Sequence, residues 1–285
     1  MARKSFFLLA MLLVAFAGNA QNRDQNGDGV VNVTDVVDLI NYILTSSKDP
    51  NPPSSNQTFT VNGASFEMIA VEGGTFTMGA TSEQVGDAIA DEEPAHKVTL
   101  SSYLIGKTEV TEELWKAVMD PNSFLRTNLP VEGRSWNECQ EFITKLNELT
   151  GKNFRLPTEA EWEFAARGGN KSQGYKYSGG SNFLYELAWY SSNSSSQTHP
   201  VATKAPNELG IYDMSGNVNE WCSDWYRRYS SESQTNPTGP TSGSERVWRG
   251  GGWCDYQRDC RVSSRGSGAP RYHIQSLGLR LCLSE

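Results

Sequence analysis

Histidine is scarce in this chain. Its 285 residues hold three, and His96, His199 and His273 stand far apart. None has a second histidine at ligand spacing, so a histidine-based metal centre is not expected, and His96 beside Pro94 and His199 before Pro200 read as structural residues. Basic residues are also in the minority, 25 against 33 acidic ones, for a net charge of −8. That balance argues against general nucleic-acid binding. Beyond Phe6–Ala17 the chain has no long apolar run, and that run is too short for a good membrane span. Cysteine is present in an odd number, five, which leaves one thiol unpaired if the others bridge.

What the chain does have in quantity is glycine (26), tyrosine (11) and tryptophan (8), with 37% apolar residues overall. This composition suits a globular, aromatic-rich, loop-heavy protein of one large domain plus an appendage, not a disordered one. The first residues read as a signal peptide, 1–20. Arg3 and Lys4 form its basic start, Phe6–Ala17 its apolar centre, and Gly18-Asn19-Ala20 a small-residue cleavage site, with cleavage after Ala17 as the competing choice. No cysteine follows to carry a lipid. The expectation is a soluble, secreted or periplasmic protein in which disulfides are permitted.

A compact unit at 22–46 follows. Asp24, Asn26, Asp28, Asn32 and Asp35 place side-chain oxygens at positions one, three, five, nine and twelve of a calcium loop, and the Val30 carbonyl falls at seven. Gly29 allows the sharp turn at six, and Val31 is apolar at eight. Val36, Val37, Leu39, Ile40, Ile43 and Leu44 then form one face of a helix. The segment resembles a dockerin repeat, with Asp in place of a closing Glu. Dockerin modules carry two repeats, and one is present here. A lone loop and helix cannot bury its apolar face alone, so a cohesin-like partner or self-association through this unit is expected. Residues 47–63, rich in Pro, Ser and Asn, read as a linker.

The main domain is expected over 64–285. Phe66–Val71, Gly73–Gly79, His96–Leu100 and Tyr103–Ile105 carry strand patterns. Thr111 is an N-cap for a helix that continues through Glu112, Glu113 and Trp115. Ser135 with Glu138 and Thr158 with Glu161 form two capping boxes. The first begins a helix bearing Cys139, Phe142, Ile143, Leu146 and Leu149, stopped by Gly151. Capping and salt bridging account for Glu159 and Glu161 more cheaply than catalysis. The most informative stretch, Leu209–Trp225, reads LGIYDMSGNVNEWCSDW. Turn formers Asp213, Ser215, Gly216, Asn217 and Asn219 alternate with buried-type residues, which suits neither a long helix nor a clean strand. Asp213 and Glu220 flank a glycine turn, an arrangement fit for a hard cation or for a turn held by side-chain hydrogen bonds. Seven arginines in the last forty residues suit an anion site or, more cheaply, ion pairs with the domain's own acids.

Several of these stretches resemble the formylglycine-generating enzyme (sulfatase-modifying factor) family. They are GGTFTMG at 73–79, the EVT and Trp115 of 109–115, RLPTEAEWEFAARGG at 155–169, LGIYDMSGNVNEW at 209–221, and the ending RVWRGGGW, Arg261, Arg265 and LGLRL. The resemblance implies an irregular α+β fold, distantly like C-type lectins and low in regular structure. It implies one calcium site at Asn182, Phe183, Asn193 and Ser195, with Asn193 where an Asp is usual, and another at Asp213, Gly216, Val218 and Glu220. It implies bridges Cys139–Cys282 and Cys222–Cys260. The family's oxidase uses two cysteines, separated by four residues after a GGS, to bind copper. Here Cys254 and Cys260 are separated by five, and Gly252 stands for the serine. A branch of the family that uses iron needs a histidine triad, which this chain lacks. The expectation is therefore a calcium-stabilised module binding a protein or glycan ligand in an extracellular assembly. A copper oxidase acting on a cysteine of a sulfatase or other protein, using Cys254 and Cys260, and a structural or adhesive surface protein are the alternatives.

Overall fold

The computed structural model describes residues 55–84, 86–120 and 127–284. Contacts divide the chain into Met1–Lys48 and Asp49–Glu285, and the description concerns the second unit. The expected signal peptide and the calcium loop of Asp24, Asn26, Asp28, Val30, Asn32 and Asp35 lie outside the described residues.

Among the described residues there are twelve short strands: β1 Gln57–Val61, β2 Ala64–Val71, β3 Gly74–Met78, β4 His96–Leu100, β5 Tyr103–Gly106, β6 Phe154–Arg155, β7 Asn219–Trp225, β8 Gln234–Thr235, β9 Arg246–Arg249, β10 Arg265–Gly268, β11 Leu277–Gly278 and β12 Cys282–Leu283. They form three sheets, ordered β1-β2-β5-β12-β6, β10-β9-β7-β11 and β3-β4-β8. The helices are α1 Glu112–Met119, α2 Trp136–Thr150, α3 Glu159–Ala166 and the single turn α4 Leu184–Leu187. The architecture is the irregular α+β fold expected. Among the described residues no helix is long and apolar enough to cross a membrane.

Local chemistry sets the helix ends. Thr111 accepts the Leu114 N–H at the start of α1. Both expected capping boxes form, Ser135 with Glu138 and Thr158 with Glu161. Gly151, at φ 65°, ends α2 in the left-handed conformation that glycine adopts without steric cost. The α2 face of Cys139, Phe142, Ile143 and Leu146 is buried, but Leu149 lies off that face and is half exposed.

Two stretches differ from expectation. Gln57–Val61 falls within the expected linker, yet it is a strand in hairpin register with β2, Val61 opposite Ala64. Asn62 and Gly63, at φ 47° and 86°, make the two-residue turn between them. An Asn-Gly flanked by alternating Thr, Phe and Val is a hairpin signal. Likewise Asn219–Trp225 is a strand, paired antiparallel to β9 with a register shift between Trp221 and Trp225. The turn formers of Leu209–Trp225 are confined to its first half.

Helix α3 is the centre of the molecule. All eight of its residues are buried, as a helix enclosed on every side must be. Trp162 and Phe164 join a core with Val98, Ile105, Met214 and Cys282. A second core packs α1 and α2 on the first sheet through Leu104, Phe142 and Leu146. Trp115 stacks on Phe142 there, with centroids 4.8 Å apart.

Candidate functional site

The turns of Leu209–Val218 carry four left-handed backbone positions, the first of them Gly210 at φ 83°. Asp213, Gly216 and Asn217 lie at φ 57°, 84° and 62°, a conformation that Gly, Asn and Asp tolerate best. A Cβ on Gly216 would stand 2.5 Å from the Trp189 carbonyl oxygen, so no side chain fits there. This knot brings three carboxylates to one buried place. Asp213 Oδ2 accepts the Ala202 N–H at 2.7 Å, while its Oδ1 is buried without a partner. Glu109, just before α1, accepts the Val218 N–H and the Asn217 amide at 3.0 and 2.9 Å. Glu220, in β7, accepts Trp162 Nε1 at 2.7 Å and the Arg280 guanidinium, Nη2 to Oε1 at 2.7 Å.

One guanidinium therefore serves three buried carboxylates, and it is committed to Glu220. Burial, then the charges of Asp213 and Glu220, push the Glu109 carboxyl well above the usual range. Burial pushes Asp213 up to about 6, against the opposing pull of the Ala202 N–H and Arg280. The pair is left short of positive charge, which a proton or a cation at Asp213 Oδ1 relieves. Sequence reasoning named Asp213 and Glu220 but missed Glu109 and Arg280 as their neighbours.

Four of the seven C-terminal arginines, Arg249, Arg261, Arg265 and Arg280, are buried, while Arg258 and Arg271 are exposed. Arg249 pairs with Glu163 of α3, Arg265 with Glu159 at 2.5 Å, Arg261 with Glu92 at 2.5 Å, and Arg280 with Glu220. Arg155 holds Glu161 through two bonds of 2.7 Å. These are ion pairs within the fold, and they use Glu159 and Glu161 as structural acids.

All five cysteines are free thiols, so the bridges Cys139–Cys282 and Cys222–Cys260 are not formed. The four residues are divided among different packing clusters. Cys139 lies with α1 and α2, Cys222 and Cys282 around α3, and Cys260 with Tyr177 and Leu187. Cys254 is exposed and Cys260 is fully buried. The backbone turns tightly beside Cys260. Gly251 sits at φ 70°, and a Cβ there would stand 2.9 Å from the Cys260 sulfur. Burial and the charges of Asp255 and Asp259, with a smaller contribution from Cys254, push the Cys260 thiol well above its ordinary value. Asp255 is itself fixed, its Oδ2 accepting the Gly252 N–H and the Asn219 amide at 2.8 and 2.7 Å.

A family model for the sulfatase-modifying factor enzyme 1-like domain matches residues 54–284. The chain belongs to that family. It is 33% identical over 254 residues to the chaperone protein LppX of Paenibacillus barcinonensis, covering 71% of this chain and 84% of that one. It is 36% identical over 183 residues to the formylglycine-generating enzyme of Mus musculus, covering 58% of this chain and 48% of the enzyme. The chain thus spans about half of that enzyme's length. Among solved structures it is similar to Treponema denticola variable protein 1, with a TM-score of 0.72, 34% identity, and 81% and 99% of the two chains covered.

The metal sites that family membership suggests differ in how well this chain's residues fit them. Among the described residues, no group of three or more His, Cys, Asp or Glu is placed to hold a metal. At Asp213 the orphaned Oδ1 is the kind of oxygen a hard cation takes, and family resemblance would add the Gly216 and Val218 carbonyls. Glu220 is not free to join them, since Arg280 and Trp162 take both of its oxygens. At the other site Asn193 does not fit. Its Oδ1 accepts the Tyr190 N–H at 2.8 Å and its amide donates to the Ala188 carbonyl at 2.8 Å. The Lys204 ammonium donates to the Tyr185 carbonyl at 2.6 Å. N–H hydrogens, not open lone pairs, therefore occupy that loop. Asn182 accepts the Lys176 N–H at 2.8 Å, Phe183 is exposed, and Ser195 sits at φ 57°. Nor do the unequal thiols of Cys254 and Cys260 suit Cu(I), which needs two accessible thiolates.

Proposed function

We propose that this chain is an exported member of the family that works as a binding module for a protein or glycan ligand and does not generate formylglycine. The observation that carries the reading is the state of Cys260. Its sulfur is buried beneath the Gly251 turn, beside two carboxylates that disfavour the thiolate. A thiol held protonated is a poor copper ligand and a poor nucleophile. The scaffold around it is complete, and what remains is a rigid, loop-built surface on a closed core. Such surfaces carry recognition.

Calcium belongs to this proposal at two places. The loop from Asp24 to Asp35 has the ligand spacing for it, and Asp213 has a buried oxygen in need of a cation. The single dockerin-like unit would tether the module to a cohesin-like partner or to a second copy.

Thiol mapping tests the central claim. Iodoacetamide labelling of the native protein is expected to modify Cys254 rapidly and Cys260 only after unfolding, with no stoichiometric Cu(I) bound. Two reactive thiols holding one copper would return the oxidase reading.

A further inference from the structure

A cavity of about 380 Å³ lies away from the thiols, between the end of β7, the start of β4 and the loop 227–240. That volume is in the range of small-molecule sites. Two of its lining side chains, Asp224 and His96, are buried and polar. Asp224 is buried, and its Oδ2 accepts the Glu159 N–H and the Ser223 hydroxyl at 2.9 and 3.0 Å. Oδ1 remains. His96 is buried too, its ring tilted against Tyr229 with centroids 4.9 Å apart. Its Nδ1 lies 3.1 Å from the Pro94 carbonyl. A carbonyl can only accept, so Nδ1 carries a hydrogen. At the rim, Arg227 and Arg228 are exposed donors.

The wall opposite Asp224 is rigid. Gly239 sits between Thr238 and Pro240 at φ 71°, where a Cβ would lie 3.1 Å from Asp224 Oδ1, so the loop closes down on the carboxyl only because glycine is there. Pro237 and Pro240 stiffen this segment. Asn236 pins it to β4, donating its backbone N–H to the Thr99 carbonyl at 2.8 Å and accepting the Ser101 N–H at 2.7 Å. A preformed wall saves the ordering cost of binding.

The lining mixes both signs, Glu159, Asp224 and Glu232 with Arg227, Arg228 and Arg265, so neither dominates. A strongly charged ligand gains nothing from such a site. An acceptor on the floor and donors at the rim ask for groups that both donate and accept, and that is the property of hydroxyls. We infer that this cavity binds a neutral saccharide, whose hydroxyls donate to Asp224, meet the His96 ring and accept from Arg228. This inference rests on the binding-module reading and names its site and ligand class.

Calorimetry of the full chain with maltotriose, cellotriose and N,N′,N″-triacetylchitotriose tests it. At least one is expected to bind. Asp224→Asn keeps the side-chain volume and the oxygen facing the Glu159 N–H, but turns an acceptor in the cavity into a donor. Losing that hydrogen bond should weaken binding about fivefold or more. The exposed Arg228→Ala, which cannot disturb the core, should weaken it a few-fold, and Tyr256→Ala beside the thiols should leave it unchanged. No heat with any of the three sugars, or equal affinity in folded Asp224→Asn and Arg228→Ala, overturns the assignment. A lysine-containing peptide that binds where the sugars do not would overturn it while leaving the binding-module reading intact, whereas stoichiometric copper on Cys254 and Cys260 would defeat that reading instead.

Discussion

Arg280 and Glu220 form a buried ion pair, fully enclosed on both sides. Two further guanidinium hydrogens go to the Gly106 and Tyr212 carbonyls at 2.8 Å each. The pair thus ties β5, the turn at Tyr212 and β7 to the C-terminal segment. Removing one member of such a pair leaves a buried charge unpaired. Arg280→Met is expected to cost about 3–5 kcal/mol, and the double variant with Glu220→Gln less than the sum of the singles. Urea unfolding of all four proteins measures this. An additive double variant would show that the two residues act independently.

Buried acids give the domain an unusual pH response. Burial, helped by Glu159, holds the Asp224 carboxyl up to about 7, and Asp213 is held up to about 6. Both groups have folded values above their unfolded ones, near 3.9. Between pH 4 and 7 the folded state therefore binds more protons than the unfolded state, and stability falls as pH rises across that window. Above pH 7 their contribution is constant. The loss from Asp224 is on the order of 2–4 kcal/mol. Asp224→Asn should flatten this part of a stability-against-pH curve measured by thermal unfolding. An unchanged slope would show that Asp224 is ionised throughout.

The calcium proposed for Asp213 would act in the opposite direction. A cation on Oδ1 requires the ionised carboxylate, so binding competes with the proton. Calcium at ten times its dissociation constant would stabilise the domain by about 1.4 kcal/mol. Chelation with EDTA is expected to lower the unfolding temperature more at pH 7.5 than at pH 5. Asp213→Asn should remove that difference, and Asp24→Ala should leave it in place, which separates this site from the N-terminal loop. An equal effect of EDTA on wild type and Asp213→Asn would remove calcium from Asp213.

What was legible in the sequence follows interaction range. The Ser135–Glu138 and Thr158–Glu161 capping boxes span three residues and were visible as written. The β1 strand was missed although Asn62-Gly63 marked its turn, because Pro52, Pro53 and the serines before it set the reading of the whole stretch. Glu220 looked like a metal ligand because its neighbours are turn formers, yet its partner Arg280 lies 60 residues on. Glu109 meets Val218 across 109 residues. No local pattern announces such pairs. The cysteine bridges failed for a similar reason: family positions say which residues correspond, but the packing here sends Cys139 and Cys282, and Cys222 and Cys260, to different clusters.

Gly251 offers the most local test of how the thiol site is built. It combines a left-handed backbone at φ 70° with contacts that leave a Cβ 2.9 Å from both the Cys260 sulfur and the Asp259 carbonyl oxygen. Gly251→Ala should therefore cost about 1–2 kcal/mol for the backbone and more for the clash. Cys260→Ala removes the sulfur but leaves the carbonyl. If the turn is what seals Cys260, the alanine at 251 should push the loop outward and speed labelling of Cys260 in the native protein, while labelling of Cys254 stays the same. A double-mutant cycle of Gly251→Ala with Cys260→Ala should show favourable coupling, because the smaller side chain relieves half of the clash. Additive losses with unchanged labelling would mean that Cys260 is buried by the surrounding packing of Tyr177 and Leu187, and not by the turn.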